Sequence, residues 1–454
     1  MRNMTDRTQA PAPKGNITFE IPAIELLKTS NGIDVHFVEK NKLPIVQLIV
    51  MFSGGSKFDP ADKKGITYLT SLLIDEGAGE FDAFQLNNEF EKLGSVLGIT
   101  SDHDSFSFSL TSIKENFYRS FELLSKIINE PRMDEKDFER EKKKLLDRIL
   151  QLKDEPSYIA STAFDKLIFD GNYYSLPEPG FESTVEKITL DDVKNFYRNT
   201  LLQSEIKLIA VGNISKEEIS GLVEKFLPKN INNIEEPEYI KPIRGETKFY
   251  FIDKEDSAQS EIRIGHLSKN RDAEDFYATR IMNTILGGQF SSRINLNLRE
   301  QKGFTYGASS AYNYMKNAGY FEVSTSVNIQ NTGEAVSEIL RELDLIKSNI
   351  KKEEIDFAKS YLIKQFPAKF ETYTQVARNI VPLITHSLPM DYYNGYSLKL
   401  NSVSAEEIIK SANDNICIDN LIVLVVGDKK IIEPQLSAIT KNLIELDIYG
   451  VPVN

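Results

Sequence analysis

A chain of 454 residues exceeds what one hydrophobic core ordinarily serves, so two or more domains are expected. Its 41% hydrophobic and 27% charged residues are those of a folded globular protein and exclude disorder as the default. The net charge of −13, spread along the whole sequence, lacks the basic face that nucleic acid requires, so no nucleic-acid partner is expected.

The opening MRNMTDRTQAPAPKGN has no apolar core of the kind an export signal needs, and residues 1–20 read as an N-terminal extension. No later stretch approaches the roughly 18 uninterrupted apolar residues of a membrane helix, so a soluble chain without a membrane span is expected. Cys417 is the only cysteine, which removes intrachain disulfides and thiolate metal clusters. Cytoplasm is the expected compartment, and the periplasm stays open should a leader have been removed.

VQLIVMFSGGS (46–56) is a β-branched apolar run ending at paired glycines, as a buried strand does. GITYLTSLLIDEG (65–77) and FDAFQLNNEFEKLG (81–94) have helical spacing and each stops at a glycine. DSFSFSLTS (104–112) alternates Phe106, Phe108 and Leu110 with serines, the pattern of a strand with one wet face. Helices are therefore expected to cover one side of a sheet. The triplet DHD (102–104) is the one local cluster with ligand chemistry; it reads first as a solvated strand end and second as a metal site.

PKNINNIEEPEYIKPIRGE (228–246) carries three prolines and little periodicity, as a linker does. The order before it then repeats. AEDFYATRIMNTILGG (273–288) is helical, GYFEVSTSVN (319–328) alternates like a strand, and EAVSEILRELDLIKSN (334–349) is an amphipathic helix. DEKDFEREKKKLL (134–146) is similar to KEEIDFAKSYLI (352–363), and LIAVGNISKEEI (208–219) to LVVGDKKIIEP (424–434). Phe138 then falls on Phe357 and Gly212 on Gly427, offsets of 219 and 215. One long period argues a duplicated domain and not a solenoid, whose repeats run about 20–50 residues. The expected architecture is α+β: two homologous domains at 21–228 and 247–454, each a mostly antiparallel sheet packed with helices, joined by a linker at 229–246.

His36, His103, His266 and His386 are scattered, with no pair at the i, i+4 spacing that puts two imidazoles on one helical face. EGAGEF (76–81) and LGGQFSS (286–292) hold glycine pairs without a phosphate-loop or dinucleotide pattern. No G-x-S-x-G elbow is present to support an independent serine hydrolase. By spacing alone, Arg299 is the last-turn cation of a helix ending at Gly303, and Tyr306 a strand aromatic packed on the sheet.

ILGGQFSSRINLNLREQKGFTYGASSAY (285–312), together with the layout from residue 31 to 430, resembles the insulinase/pitrilysin-like (inverzincin) zinc metallopeptidases. The likeness is to the short two-domain form shared by mitochondrial processing peptidase and its bacterial relatives. Catalytic members carry H-x-x-E-H on the first helix of the first domain. The resemblance places Tyr68, Ser71 and Leu72 at those three positions, and Arg148 at the third ligand, a glutamate, with Glu141 and Asp147 nearby. It implies no cofactor in this chain, since a permanent cation repels a dication.

The same resemblance implies that Arg299 and Tyr306 are the arginine and tyrosine that family members extend to a zinc site in the same chain or a partner. SVLGITS (95–101) is similar to the family's substrate-pairing edge strand, through Gly98, Ile99 and Thr100, but lacks its asparagine; no substrate-binding residue is assigned. The implied function is the metal-free subunit of a heterodimeric zinc metalloendopeptidase, inactive alone, whose homologous partner bears the zinc and which takes peptides or unfolded polypeptides. The alternative is a non-catalytic peptide-binding or scaffold protein.

Overall fold

The computed structural model describes residues 19–242 and 245–453. The expected N-terminal extension lies outside the described residues except for Phe19 and Glu20.

The principal elements of the first half are β1 (Glu25–Lys28), β2 (Asp34–Glu39), β3 (Ile45–Phe52), α1 (Ile66–Leu73), α2 (Ala83–Lys92), β4 (Val96–Ser101), β5 (Phe106–Ile113), α3 (Lys114–Asn129), α4 (Glu135–Leu152), α5 (Pro156–Ile168), α6 (Leu190–Asn199), β6 (Ile206–Gly212) and α7 (Lys216–Phe226). Those of the second are β7 (Lys248–Asp253), β8 (Gln259–Ser268), α8 (Phe276–Leu286), β9 (Ala308–Tyr314), β10 (Gly319–Asn328), α9 (Thr332–Leu345), α10 (Lys352–Gln365), α11 (Tyr373–Thr385), α12 (Tyr396–Ser402), α13 (Ala405–Asn415), β11 (Ile422–Gly427), α14 (Lys429–Ser437) and β12 (Leu443–Leu446). Residues 229–242, within the expected linker, form no helix or strand.

Each half builds one six-stranded mixed sheet, in the orders β1-β2-β6-β3-β5-β4 and β9-β10-β8-β11-β7-β12. Antiparallel pairs predominate; β2 with β6, β7 with β11, and β7 with β12 run parallel. The fold is therefore the expected α+β pair of sheet-and-helix units. Helix starts follow their sequence signals. Asp82, Thr189, Ser215, Thr372 and Ser404 each accept a backbone N–H of the helix they open, satisfying donors that would otherwise be orphaned.

The expectation that helices cover one side of each sheet is corrected. The halves exchange a helix. α5 leaves the first half to lie on the second sheet, where Ile159, Ala163 and Phe164 share a core with Tyr250, Leu424 and Val426. α11 returns the exchange, packing Val376, Ala377 and Ile380 against Ile49, Met51, Ile209 and Val211 of the first sheet. The cause is legible in the strands themselves. IVQLIVMF of β3, IKLIAVG of β6 and IVLVVG of β11 are apolar on both faces, as in sheets covered on both sides. Leaving one face in water would forgo roughly 1.5–3 kcal/mol for each large side chain. β5, nearer the edge, keeps the strict alternation read from FSFSLTS.

Candidate functional site

The first-half locus begins at the N-terminus of α1. Gly65 caps that helix at φ +97°, and Gly180 opposite it stands at φ +75°, both left-handed positions that glycine occupies without strain. A Cβ on Gly65 would lie 2.4 Å from the Pro179 carbonyl oxygen, and one on Gly180 would lie 2.1 Å from that of Lys64. The two glycines let loop 177–180 lie against α1, which sets Glu178 beside the locus. Gly180→Ala is expected to lower unfolding stability by at least about 1–3 kcal/mol through backbone strain alone, measured by urea denaturation.

Around α1 the four positions matching metal ligands are brought to one region but make no ligand set. Tyr68 and Arg148 both act on the Tyr158 phenol, which burial, then Glu178, pushes up to about 12. Ser71 donates its hydroxyl to the Tyr68 carbonyl at 2.7 Å, and Leu72 packs against the first-half core. Arg148 is exposed and pairs with Glu155 at 3.1 Å. Glu141 is buried and already engaged by Arg140 at 3.0 Å and Lys144 at 2.7 Å; Asp147 is exposed. An aliphatic chain, a back-bonded hydroxyl and a guanidinium do not fit a zinc ion, which takes nitrogen, thiolate and carboxylate ligands. Among the described residues no group of three or more His, Cys, Asp and Glu is placed to hold a metal.

DHD is solvated only at Asp102, and the expectation of a solvated strand end is corrected for His103 and Asp104. Asp104 accepts the Tyr174 hydroxyl at 2.9 Å and the Lys316 backbone N–H at 3.0 Å, joining the first half to the β9–β10 turn. Lys57, fully buried, lies 3.4 Å from Asp104 and 2.7 Å from Glu236 of the linker, and Glu236 also receives Lys316 at 2.8 Å. His103 holds the Leu176 carbonyl through Nε2 at 2.9 Å and faces Glu178 at 3.5 Å through Nδ1. Through Asp104 the triplet forms part of a junction between the halves.

Beside that junction, partial burial pushes the Glu178 carboxyl up to about 7, with Asp102 adding to it. Asp165 on α5 is pushed up to about 8 by burial, then by Glu322 and Glu178. Arg263 of β8, itself buried, offsets part of this charge by pairing with Glu322 and Glu261, each at 3.1 Å. No spacing in the sequence announces this group: Glu261, Arg263 and Glu322 meet on the paired strands β8 and β10, and the exchanged helix brings Asp165 to them.

The Arg299–Tyr306 loop is built differently. A short helix at Arg293–Asn295 runs into a π-helical turn, Leu296–Gln301, and ends through Gly303 at φ +69°. Arg293 is forked onto Glu354 of α10 at 2.6 and 2.7 Å. Asn295 accepts the Ala308 N–H at 3.0 Å, and Asn297 reaches Glu338 and Glu342 of α9 at 2.8 and 2.9 Å. Thr305 accepts the Gly307 N–H at 3.0 Å, while Thr325 of β10 donates to the Gly307 carbonyl at 3.0 Å. The base of the loop is thus fastened at five side chains that sequence reasoning did not single out.

On this base Tyr306 stands clear of the fold, while Arg299 lies partly against it. Tyr306 is 92% exposed and precedes β9, so the reading of it as a sheet-packed strand aromatic is corrected. Arg299 is half-buried; its guanidinium stacks 4.3 Å from the ring centroid of Phe290 and lies 3.6 Å from Glu300. Phe290, the support beneath it, is itself 62% exposed. Among the described residues no hydrogen bond, ion pair or ring contact joins Arg299 or Tyr306 to Tyr68, Ser71, Leu72 or Arg148.

A two-sheet α+β fold whose first helix, ITYLTSLL, carries no metal-ligating His, Cys, Asp or Glu defines the class as that of the two-domain metallopeptidase fold. Residues 35–174 match the family described as Insulinase (Peptidase family M16), and residues 187–362 match the Peptidase M16 inactive domain. The chain belongs to peptidase family M16. It is 22% identical to the "Non-peptidase homolog YmxG" of Helicobacter pylori, over 88% of this chain and 92% of that protein. It is 21% identical to the "Probable inactive metalloprotease YmfF" of Bacillus subtilis, over 85% of this chain and 94% of that one. The crystal structure of a peptidase M16 inactive domain from Pseudomonas fluorescens shares the fold with a TM-score of 0.81 and 22% identity, covering 89% of this chain and 98% of that one. No helix among the described residues is long and apolar enough to cross a membrane.

Proposed function

We propose that this chain is the metal-free subunit of a two-chain zinc metalloendopeptidase, in which Arg299 and Tyr306 act at a catalytic centre borne by a homologous, zinc-bearing partner. The observation that carries this reading is the loop: a tightly fastened backbone presenting a phenol that is 92% exposed and a cation held only by the Phe290 ring and its neighbour Glu300 among the described residues. Neither side chain contributes to its own core in a way that would require it. During peptide hydrolysis the attacked carbonyl oxygen gains negative charge, and a preorganised guanidinium and phenol hold it through charge-assisted hydrogen bonds. Arginine suits the role because it stays protonated and presents a rigid fork. Peptides or unfolded polypeptides are the substrates, held by backbone hydrogen bonds to an edge strand such as β4, with little dependence on sequence.

The test mixes the purified chain with a zinc-bearing family member encoded beside it and follows a quenched peptide. The pair is expected to cleave where neither chain does alone. Arg299→Ala in the pair is expected to cost about 2.7–4 kcal/mol of barrier, a loss of about 10²–10³ in kcat, with the complex still forming by size-exclusion chromatography. A pair as active with Arg299→Ala as without it sinks the reading. A second reading, a peptide-binding protein without part in hydrolysis, is favoured by the name non-peptidase homologue carried by the Helicobacter relative. Peptide affinity with no gain in a partner's turnover would select it.

A further inference from the structure

The second half holds four cations gathered without carboxylates. Arg271 follows β8, Arg280 lies on α8, Lys369 sits between α10 and α11, and Lys399 lies on α12. Among the described residues none of the four forms an ion pair. Aromatic rings stand against Arg271, Arg280 and Lys399 instead. The Arg271 guanidinium lies 3.5 Å from the ring centroid of Phe276 and 4.9 Å from that of Tyr392, whose hydroxyl it meets at 2.6 Å. Lys399 stands 5.6 Å from the same Tyr392 ring. Arg280 Nε is shielded from solvent and makes no hydrogen bond, although the guanidinium engages the Tyr396 side chain. Burial, then Arg280 and Arg271, push Lys369 down to about 8. The nearby Asp275 is already committed to Lys269 and Asn415 at 2.6 and 2.8 Å, and Asp272 is exposed.

The position of this cluster within the duplication is informative. α8 follows β8 as α1 follows β3, and setting Arg280 on Tyr68 makes the burial of residues 278–283 repeat that of 66–71. α10 is the counterpart of α4 by the Phe138–Phe357 match, and the same offset sets Arg148 on Pro367, two residues before Lys369. Each of those helices is followed by the one that crosses to the other sheet, α5 or α11. The second half therefore carries cations where the first half has its lost metal positions. Like charges held together on a partly shielded surface repel, and a bound anion relieves them.

We propose that this cluster binds the carboxylate of a polypeptide, a chain terminus or an acidic side chain, through Arg280, Arg271 and Lys369. The inference rests on the reading of this chain as a peptide binder. A polypeptide is favoured because the Arg271 guanidinium also faces Tyr314 at 5.8 Å, and Tyr314 ends β9, the edge strand that begins beside Tyr306. A peptide added to that edge runs about 20 Å from the Tyr306 loop to the cationic cluster.

The experiment titrates the full chain by calorimetry with one uncharged N-acetylated octapeptide in three forms: free C-terminal acid, C-terminal amide, and amide with one internal glutamate. The acid or the glutamate form is expected to bind at least 10-fold tighter than the plain amide, and which of them does so identifies the source. Arg280→Gln and Lys369→Gln, each checked for native circular dichroism, are expected to erase the preference. Equal binding of all three forms, or a preference that survives both variants, overturns the carboxylate site and leaves peptide binding standing. If no form binds, the peptide reading fails and the site is decided by succinate. A rise in Tm with succinate that Arg280→Gln abolishes retains the site, and its absence removes it.

Discussion

Lys57→Met is expected to lower the unfolding free energy by about 3–5 kcal/mol, the cost of breaking a buried ion pair from one side. The lysine side chain is fully buried, and its ammonium lies between Asp104 and Glu236 at 3.4 and 2.7 Å. Removing it takes their shared ammonium from both carboxylates, with Lys316 still on Glu236 but only Tyr174 and a backbone N–H on Asp104. Surface pairs such as Lys352–Asp356 are worth under about 1 kcal/mol, so their loss is no substitute for this one. Adding Asp104→Asn to Lys57→Met is expected to recover part of the loss, since the unpaired charge is then removed as well. Urea denaturation at pH 7 measures both. A loss under about 1 kcal/mol for the single variant would show that water or a side-chain rearrangement already solvates the site. Because α5 and α11 are exchanged, the wild-type chain is expected to unfold in one transition, and two resolved transitions would contradict the exchange.

How much of this was legible in the sequence varies with the range of the interaction that decides it. Local rules were enough for GYFEVSTSVN, which is β10 residue for residue, because its alternation and its flanks specify a half-buried strand without help. They were enough for α1, whose start is fixed by Gly65, although the helix stops at Leu73 and not at the glycine read as its end. The exchange of α5 and α11 was written only indirectly, in the two-faced burial of β3 and β11, and nothing in either helix names the sheet it covers. DHD misled because a strand-end triplet rich in charge is usually solvated, and here Tyr174, Lys57 and Lys316 arrive from three distant segments to satisfy it. The π-helical turn under Arg299 has no sequence signal of its own; it follows from Asn297 reaching α9 and Arg293 reaching α10. The Arg–Tyr pair itself was visible only through family resemblance, since spacing alone would have placed Tyr306 on the sheet.

The second large effect is on pH dependence. Asp165 has its folded pKa pushed up to about 8 from an ordinary value of 3.8, burial being the first cause and Glu322 and Glu178 the next. The folded chain then holds a proton that the unfolded chain releases, so the stability tied to this group is complete below about pH 4 and is lost as pH rises toward 8. His36 acts with the opposite sign: burial lowers it from 6.5 to about 4, so its contribution is lost as pH falls through that range. Wild-type stability is expected to pass through a maximum at mildly acidic pH. Asp165→Asn keeps the shape and removes the charge, so its stability is expected to fall less steeply between pH 5 and 9. At about 1.4 kcal/mol per pKa unit, the variant should exceed the parent by on the order of a few kcal/mol at pH 9. Urea midpoints across that range decide the matter, with Glu178 and Glu322 left intact as an internal control, since both are also raised and should preserve a residual slope of the same sign. If the two profiles run parallel, Asp165 is ionised in the fold at neutral pH, and Arg263 must then be compensating its charge across the exchanged helix and the sheet it covers.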